Sequence, residues 1–223
     1  MAKKKLKEKE DEIENVEIDE EDEKSKKKSE DLLVSREKYL KCGIHIGTSI
    51  KTNDMRRFIY KIITNGLAVM NLKMIDNRIR IVSKFLASKK DILVVSRKIK
   101  KPVETFAKAI GANAIIGRFM PGTLTNPKSK NFAEPEVILI TDPYLDKQAV
   151  KEGVEMRIPI IALCNTFNST SFVDIILPCN NKGRKSVALI FYLLTREILK
   201  ERGEIKSDEE FKLRIEDFIE EKK

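Results

Sequence analysis

The chain lacks tryptophan, has one histidine and three cysteines, and only 6% of its 223 residues are aromatic. Each scarcity closes a route. With His45 as the only imidazole, and Cys42, Cys164 and Cys179 forming no Cys-x-x-Cys pair, the ligand sets of structural zinc sites are missing, as is an even disulfide framework. The thiols sit among small and apolar residues and read as buried, reduced side chains of a cytoplasmic protein. Apolar runs are short: Ile158 to Cys164 and Val187 to Leu194 fall far below the ~20 residues of a membrane span, so no membrane partner is expected. Lys3 to Lys5 lead directly into the acidic stretch Glu8 to Glu23, without the apolar block of a signal peptide. Nor is there a phosphate loop. Gly43-Ile44-His45-Ile46-Gly47-Thr48-Ser49 has three residues between its glycines where a P-loop has four, and Thr48 stands where the lysine belongs. His45, between two isoleucines, reads as a structural side chain, since no orienting partner or nucleophile can be named for it.

What the chain has in abundance is charge, unevenly placed. Lysine and arginine number 44 against 35 acidic residues, a net charge of +9. Residues 1–38 and 201–223 are each net negative, so residues 39–200 carry 27 basic and 12 acidic side chains, a net +15. Concentrated positive charge repels itself unless a polyanion neutralises it. Residues 1–30 are almost wholly Lys, Glu and Asp, cannot bury enough apolar area to offset chain entropy, and are expected to be a disordered extension.

From residue 31 the pattern is that of a domain running to about 205. A short helix ends at Gly43, and Phe58 to Ile63, Asn65-Gly66 and Leu67 to Met70 spell a hairpin. Ile75, Ile79, Val82 and Leu86 then mark one face of a helix over 73–88. After it, β-branched runs at 92–96, 114–116, 137–141, 158–163 and 174–177 alternate with helices expected at 102–110, 144–152 and 184–202. Asp142-Pro143 reads as the N-cap and first turn of the second of these. Apolar strands separated by helices argue an α/β fold with a central parallel sheet covered on both faces. In residues 206–223, Ser207 and Glu210 have capping-box spacing, and Phe211, Ile215, Phe218 and Ile219 share one face of an expected terminal amphipathic helix. That helix would dock on its own domain or on a partner protein.

Cations cluster where loops are expected. Lys51, Arg56, Arg57 and Lys61 precede or open the hairpin, and Arg97, Lys98, Lys100 and Lys101 follow a strand. Arg118, Lys128 and Lys130 punctuate a long irregular segment, and Asn180-Asn181-Lys182-Gly183-Arg184-Lys185-Ser186 opens the last long helix, where a dipole and free N–H groups favour an anion. Interleaved Gly, Asn, Thr and Ser suit phosphate and ribose, so the pattern favours structured RNA. Phe119 and Phe132 are candidates for stacking on bases or for anchoring their loop. A different class, a metal-dependent phosphoryl-transfer or nucleotide-binding enzyme using Asp142 and Asp174 near strand ends, stays open from the residues alone.

Several strings are more specific. Gly43 to Thr48, Ile50-Lys51-Thr52, Phe58-Ile59-Tyr60, Arg118-Phe119-Met120-Pro121-Gly122-Thr123-Leu124-Thr125-Asn126-Pro127, Thr141-Asp142-Pro143, Asp146 to Ala149, Ile158-Pro159, Ala162-Leu163-Cys164 and Asn180 to Ser186 occur in unbroken order across residues 39–205. Together they resemble the protein-two family of the small ribosomal subunit, in its archaeal and eukaryotic branch. Ser49 and residues 71–75 depart from the family's pattern.

The resemblance implies a flavodoxin-like three-layer domain without catalytic residues, metal or cofactor. It implies a structural component in the cytoplasm that binds ribosomal RNA at the head–body junction and meets neighbouring ribosomal proteins, with no homo-oligomer expected. It further implies RNA-facing segments at Lys51 to Arg57, Arg118 to Lys130 and Asn181 to Lys185.

Overall fold

The computed structural model describes residues 32–206 and 210–219. The 1–30 extension and the Ser207 cap lie outside the described residues. The chain divides into two units, Met1–Lys38 and Tyr39–Lys223. Of the first, the described part opens helix α1 (Arg36–Cys42), where the Lys38 N–H donates to the Ser35 carbonyl at 2.9 Å.

Within the second unit, after the end of α1, come a 3-10 turn (Asp54–Phe58) and a two-stranded antiparallel hairpin, β1 (Ile59–Ile62) and β2 (Ala68–Met70), closed at Asn65-Gly66. There follow α2 (Leu72–Ala87), β3 (Ile92–Ser96), α3 (Lys101–Ile110), β4 (Asn113–Ile116), β5 (Val137–Ile140), α4 (Lys147–Glu155), β6 (Ile160–Cys164), β7 (Ile175–Pro178) and α5 (Arg184–Glu201). Strands β3 to β7 form one parallel sheet in the order β4-β3-β5-β6-β7. That is the flavodoxin-like doubly wound order, which turns back on itself between β3 and β5.

The period-two alternation of the strands sorts their residues between two layers. Leu93, Val95, Ile138, Ile140, Ile160, Ala162 and Ile176 pack with Ala149 and Val150 of α4, with Met55 and Phe58 of the 3-10 turn, and with Phe119 and Leu124 of the 117–136 loop. The alternate residues, such as Val94, Leu139, Ile161 and Leu177, are equally buried and face the other side. There α5 packs against both α2 and α3, and Phe106 meets Phe191 edge to face at 5.3 Å. Both faces are therefore covered, which is why the strands read as continuous apolar runs.

Packing accounts for Gly47 of the Gly43 to Thr48 string. A Cβ on Gly47 would lie 2.6 Å from the Thr166 methyl and 2.9 Å from the Ala68 carbonyl oxygen, so a glycine is needed for close approach rather than for cradling phosphate. On α2 the expected apolar stripe is buried, but so is Asp76, 2% exposed, which accepts from the Tyr39 hydroxyl at 2.7 Å and from Arg80 Nε at 3.0 Å.

Two sequence expectations need correction. The helix after β5 begins at Lys147 rather than Tyr144. Asp142 does not cap it: its Oδ1 accepts from the Tyr144 N–H at 3.0 Å and forms a separate turn around Pro143. At the C-terminus, described residues 210–219 include the 3-10 turn Ile215–Phe218 and no α-helix. The partner-docking role assigned to Phe211, Ile215 and Phe218 changes accordingly. Phe218 is fully buried, and its ring stands at 90° to Tyr192 of α5 with centroids 6.1 Å apart. Phe211 meets the same Tyr192 at 5.3 Å, and Phe211 and Ile215 are half-buried. Aromatic burial against α5 and α3 outweighs helix propensity in so short a segment.

Truncating a buried phenylalanine removes its transfer energy and leaves a cavity. Phe218→Ala is therefore expected to lower the urea unfolding free energy of the full chain by about 3–4 kcal/mol. A partner-facing role for Phe218 would leave stability unchanged.

Candidate nucleic-acid interface

The loops leaving the carboxyl ends of β3, β5, β6 and β7 meet around a cavity of about 650 Å³. Lys98 and Ile99 come from the loop after β3, Asp142 and Tyr144 from that after β5, Phe167 from that after β6, and Asn181 to Arg184 from that after β7. A doubly wound sheet places its crevice at this edge.

The floor is a buried polar chain. Asn168 Nδ2 donates to Asp142 Oδ1 at 2.8 Å, and Asn181 Nδ2 donates to Asn168 Oδ1 at 3.3 Å and to the Leu163 carbonyl at 3.2 Å. Asn168 Oδ1 also accepts the Asn165 N–H at 2.8 Å. Asp142, Asn168 and Asn181 are 6%, 0% and 5% exposed. Asparagine supplies both donors and acceptors, so one chain of side chains links the loops after β5, β6 and β7 without leaving the Asp142 carboxylate unpaired. The segment carrying Lys51 is tied to the same edge: the Thr48 N–H donates to Thr166 Oγ1 and the Thr52 N–H to the Thr166 carbonyl, both at 2.9 Å.

At the rim stands the N-terminus of α5, an 18-residue helix capped by Gly183 without a side-chain bond. A Cβ at Gly183 would lie 3.1 Å from Asn180 Nδ2 and 3.2 Å from the Ser186 Cβ, so a larger residue would crowd this helix start. Its first-turn N–H groups and macrodipole, with Lys182, Arg184 and Lys185 exposed around them, form a cationic rim. Lys182 Nζ lies 4.1 Å over the Phe167 ring and Lys147 Nζ 4.7 Å over Tyr144, and the two rings meet edge to face at 6.2 Å.

The structure thus brings Lys98, Asn181, Lys182 and Arg184 to one cavity, with Asn181, expected among the RNA-binding residues, a buried strut of its floor at 5% exposure. Arg97 and Arg118 line a second, smaller cavity with Asp146, and Leu145 borders both. Lys100 is exposed and Lys101 half-buried at the start of α3, while Lys51, Arg56 and Arg57 are exposed beside the hairpin, Arg57 stacking on Phe58 at 4.9 Å. Lys128 and Lys130 are exposed but line neither cavity.

Phe119 is 5% exposed within the core and anchors its loop, so it has no face to offer a base; Phe132 is half-buried. Asp174 Oδ2 accepts the Ile160 N–H at 2.8 Å, at the amino edge of the sheet. Asp142 stands at the carboxyl edge, and the two carboxylates cannot share a metal. The aromatic pair Tyr144 and Phe167 was missed. Their chain neighbours, Asp142-Pro143 and Asn165-Thr166, mark loops, but nothing in the sequence brings the two rings together.

Two buried acidic residues adjoin these loops, and Glu152 holds one of them. Glu152, 2% exposed, accepts the N–H groups of Gly122 (2.8 Å) and Leu124 (3.0 Å) and the Gln148 amide (2.8 Å), fastening the 117–136 loop to α4. Burial pushes its carboxyl up, but these donors favour the charged form more and hold it below the usual glutamate value. Asp146 is pushed up to about 6, chiefly by burial and also by the Asp142 charge, against the opposing pull of Arg97. Its Oδ2 has no hydrogen-bond partner among the described residues.

These features define a class, a doubly wound α/β scaffold with a cationic carboxyl edge. The sequence profile described as ribosomal protein S2 matches residues 39–132 and 128–201. The small ribosomal subunit protein uS2 of Methanococcus maripaludis strain C5 is 51% identical over 178 residues, covering 78% of this chain and 81% of its own. That of Thermoplasma acidophilum is 50% identical over 193 residues, covering 85% and 97%, and that of Picrophilus torridus 49% identical over 193, covering 85% and 96%. The chain belongs to the ribosomal protein S2 family, a family of ribosomal proteins rather than enzymes.

Asp146 has a folded pKa raised above its ordinary 3.8, so its contribution is intact below about pH 4 and is lost as the pH rises through about 6. Asp146→Asn is expected to raise stability at pH 7.5 by about 1–3 kcal/mol, the gain vanishing below about pH 4, as read by denaturation at each pH. Glu152 has the opposite sign: its stabilisation is present above the ordinary glutamate range and is lost in acid as the carboxylate protonates. Glu152→Ala is expected to cost about 3 kcal/mol at pH 7 and to increase proteolytic cleavage within 117–136.

Proposed function

We propose that the chain is a structural component of the cytoplasmic small ribosomal subunit that binds ribosomal RNA, near the junction of head and body, through the carboxyl edge of its sheet. The observation that carries this reading is the α5 N-terminus, where Lys182, Arg184 and Lys185 surround the open first turn and Lys98 faces them across the cavity. Helix-terminal N–H groups and flexible cations bind phosphate without reading sequence, which suits a protein that positions RNA. Lys51, Arg56, Arg57, Arg97, Lys100, Lys101 and Arg118 extend the basic surface, and Lys128 and Lys130 supply outlying contacts. The names of the relatives support the assignment to the small subunit, with other ribosomal proteins as neighbours.

Its role is positioning and assembly rather than catalysis. Folding 27 cations into residues 39–200 is tolerable because RNA neutralises them, and releasing counterions from the RNA drives binding.

Arg184→Ala combined with Lys185→Ala is expected to lower affinity for small-subunit ribosomal RNA without changing the fold, and to flatten the dependence of log affinity on log salt by about one unit per lost phosphate contact. A wild-type slope and affinity in the double variant would remove these residues from the interface.

A further inference from the structure

A phosphate backbone is satisfied by exposed cations, which the outlying lysines and arginines provide. The cleft beside α5 has features that backbone binding does not require. It is concave, and its volume falls within the ~300–1,000 Å³ of sites that enclose a small ligand. It presents two aromatic rings, Tyr144 (60% exposed) and the half-buried Phe167. Its floor holds one unmatched acceptor. Asn181 lines the wall at 5% exposure; both bonds from its Nδ2 run to internal acceptors, and its Oδ1 has no donor among the described residues. Asn168 separates it from the Asp142 carboxylate, whose Oδ1 accepts from Asn168 Nδ2 and from the Tyr144 N–H.

These features specify opposite chemistries at the two ends of one ligand. The rim of Lys98, Lys182, Arg184 and the α5 N–H groups calls for an anion. The floor calls for a donor, because the unmatched Asn181 Oδ1 is costly to leave buried. Inorganic phosphate fits the rim but has no flat apolar face to offer the two rings. A nucleotide meets both ends: phosphate at the rim, ribose hydroxyls or an exocyclic amine at the floor, and a flat base against the rings. The ammonium groups now over Phe167 and Tyr144 sit on flexible stems and can exchange places with a base while staying near its phosphate.

We infer that this cleft takes a single nucleotide unit, held unstacked with its phosphate on the α5 N-terminus and its base against Phe167 and Tyr144. The inference rests on the RNA-binding reading above and adds to it: the RNA would be gripped at one extruded residue as well as along its backbone.

The test titrates the full chain with adenosine monophosphate, uridine monophosphate and inorganic phosphate, following the amide resonances of Lys182 to Arg184. Both nucleotides are expected to bind at least about tenfold more tightly than phosphate, and Phe167→Ala to erase that difference. Phe167→Leu, which keeps bulk without a π-face, and Tyr144→Ser, at an exposed position, guard against misfolding and should weaken the nucleotides at unchanged melting temperature. Equal binding of phosphate and nucleotides, or shifts confined to other residues, overturns the inference.

Small-subunit ribosomal RNA forms the second arm. If the nucleotide belongs to the RNA, Phe167→Ala lowers RNA affinity about tenfold while leaving the salt slope unchanged, because no phosphate contact is lost. Nucleotide binding with unaltered RNA affinity assigns the cleft to free nucleotides. Unaltered RNA affinity without nucleotide preference overturns the cleft but leaves RNA binding standing. Failure of the wild-type chain to bind the RNA removes the functional reading itself.

Discussion

Asn168 stands between Asp142 and Asn181, and those three buried side chains hold the carboxyl edge of the sheet together. Three loops leave the parallel strands there with no ladder to bind them. Their backbone polar groups need partners that a hydrophobic core cannot supply. The asparagines provide them within a protein interior where each bond is strengthened and each vacancy is costly. The cleft, the opening turn of α5 and the attachment of the 48–52 segment through Thr166 all inherit their geometry from this chain.

On that fixed frame the charges divide by job. Buried carboxylates act inward: Glu152 staples the 117–136 loop and Asp76 joins Tyr39 to Arg80. Cations act outward, on exposed loop residues and at the first positions of α5, where the helix dipole adds to their field. The basic surplus of the middle of the chain therefore coexists with a tightly packed interior. Electrostatic repulsion is kept on the outside, where a polyanion can relieve it.

The strands were legible because both faces are buried, leaving unbroken β-branched runs, and the hairpin because Asn-Gly selects its turn. Helices with a single apolar stripe, such as α2, were equally plain. Where tertiary contacts overrule local signals, the reading failed. Asp142-Pro143 has helix-start chemistry, yet Asn168 and Tyr144 claim the carboxylate and the helix waits until Lys147. Phe211 to Ile219 has helical spacing, yet Tyr192 draws Phe218 into the core as a 3-10 turn. The cationic rim could be found from local composition, whereas Tyr144 and Phe167 could not, since they meet only through the winding of the sheet. Asn181 stands in a charged stretch that marks it as polar surface, whereas its Nδ2 is committed inward to Asn168, thirteen residues away, and only its Oδ1 is unpaired among the described residues.

The most direct test of the account is to map ultraviolet crosslinks between protein and RNA in intact small subunits by mass spectrometry of the crosslinked peptides. If the carboxyl edge is the RNA-bearing side, crosslinked nucleotides will fall on the peptides carrying Lys98, Phe167 and Lys182 to Lys185. Crosslinks restricted to the outward faces of α2 and α3, with those peptides unmodified, would contradict it.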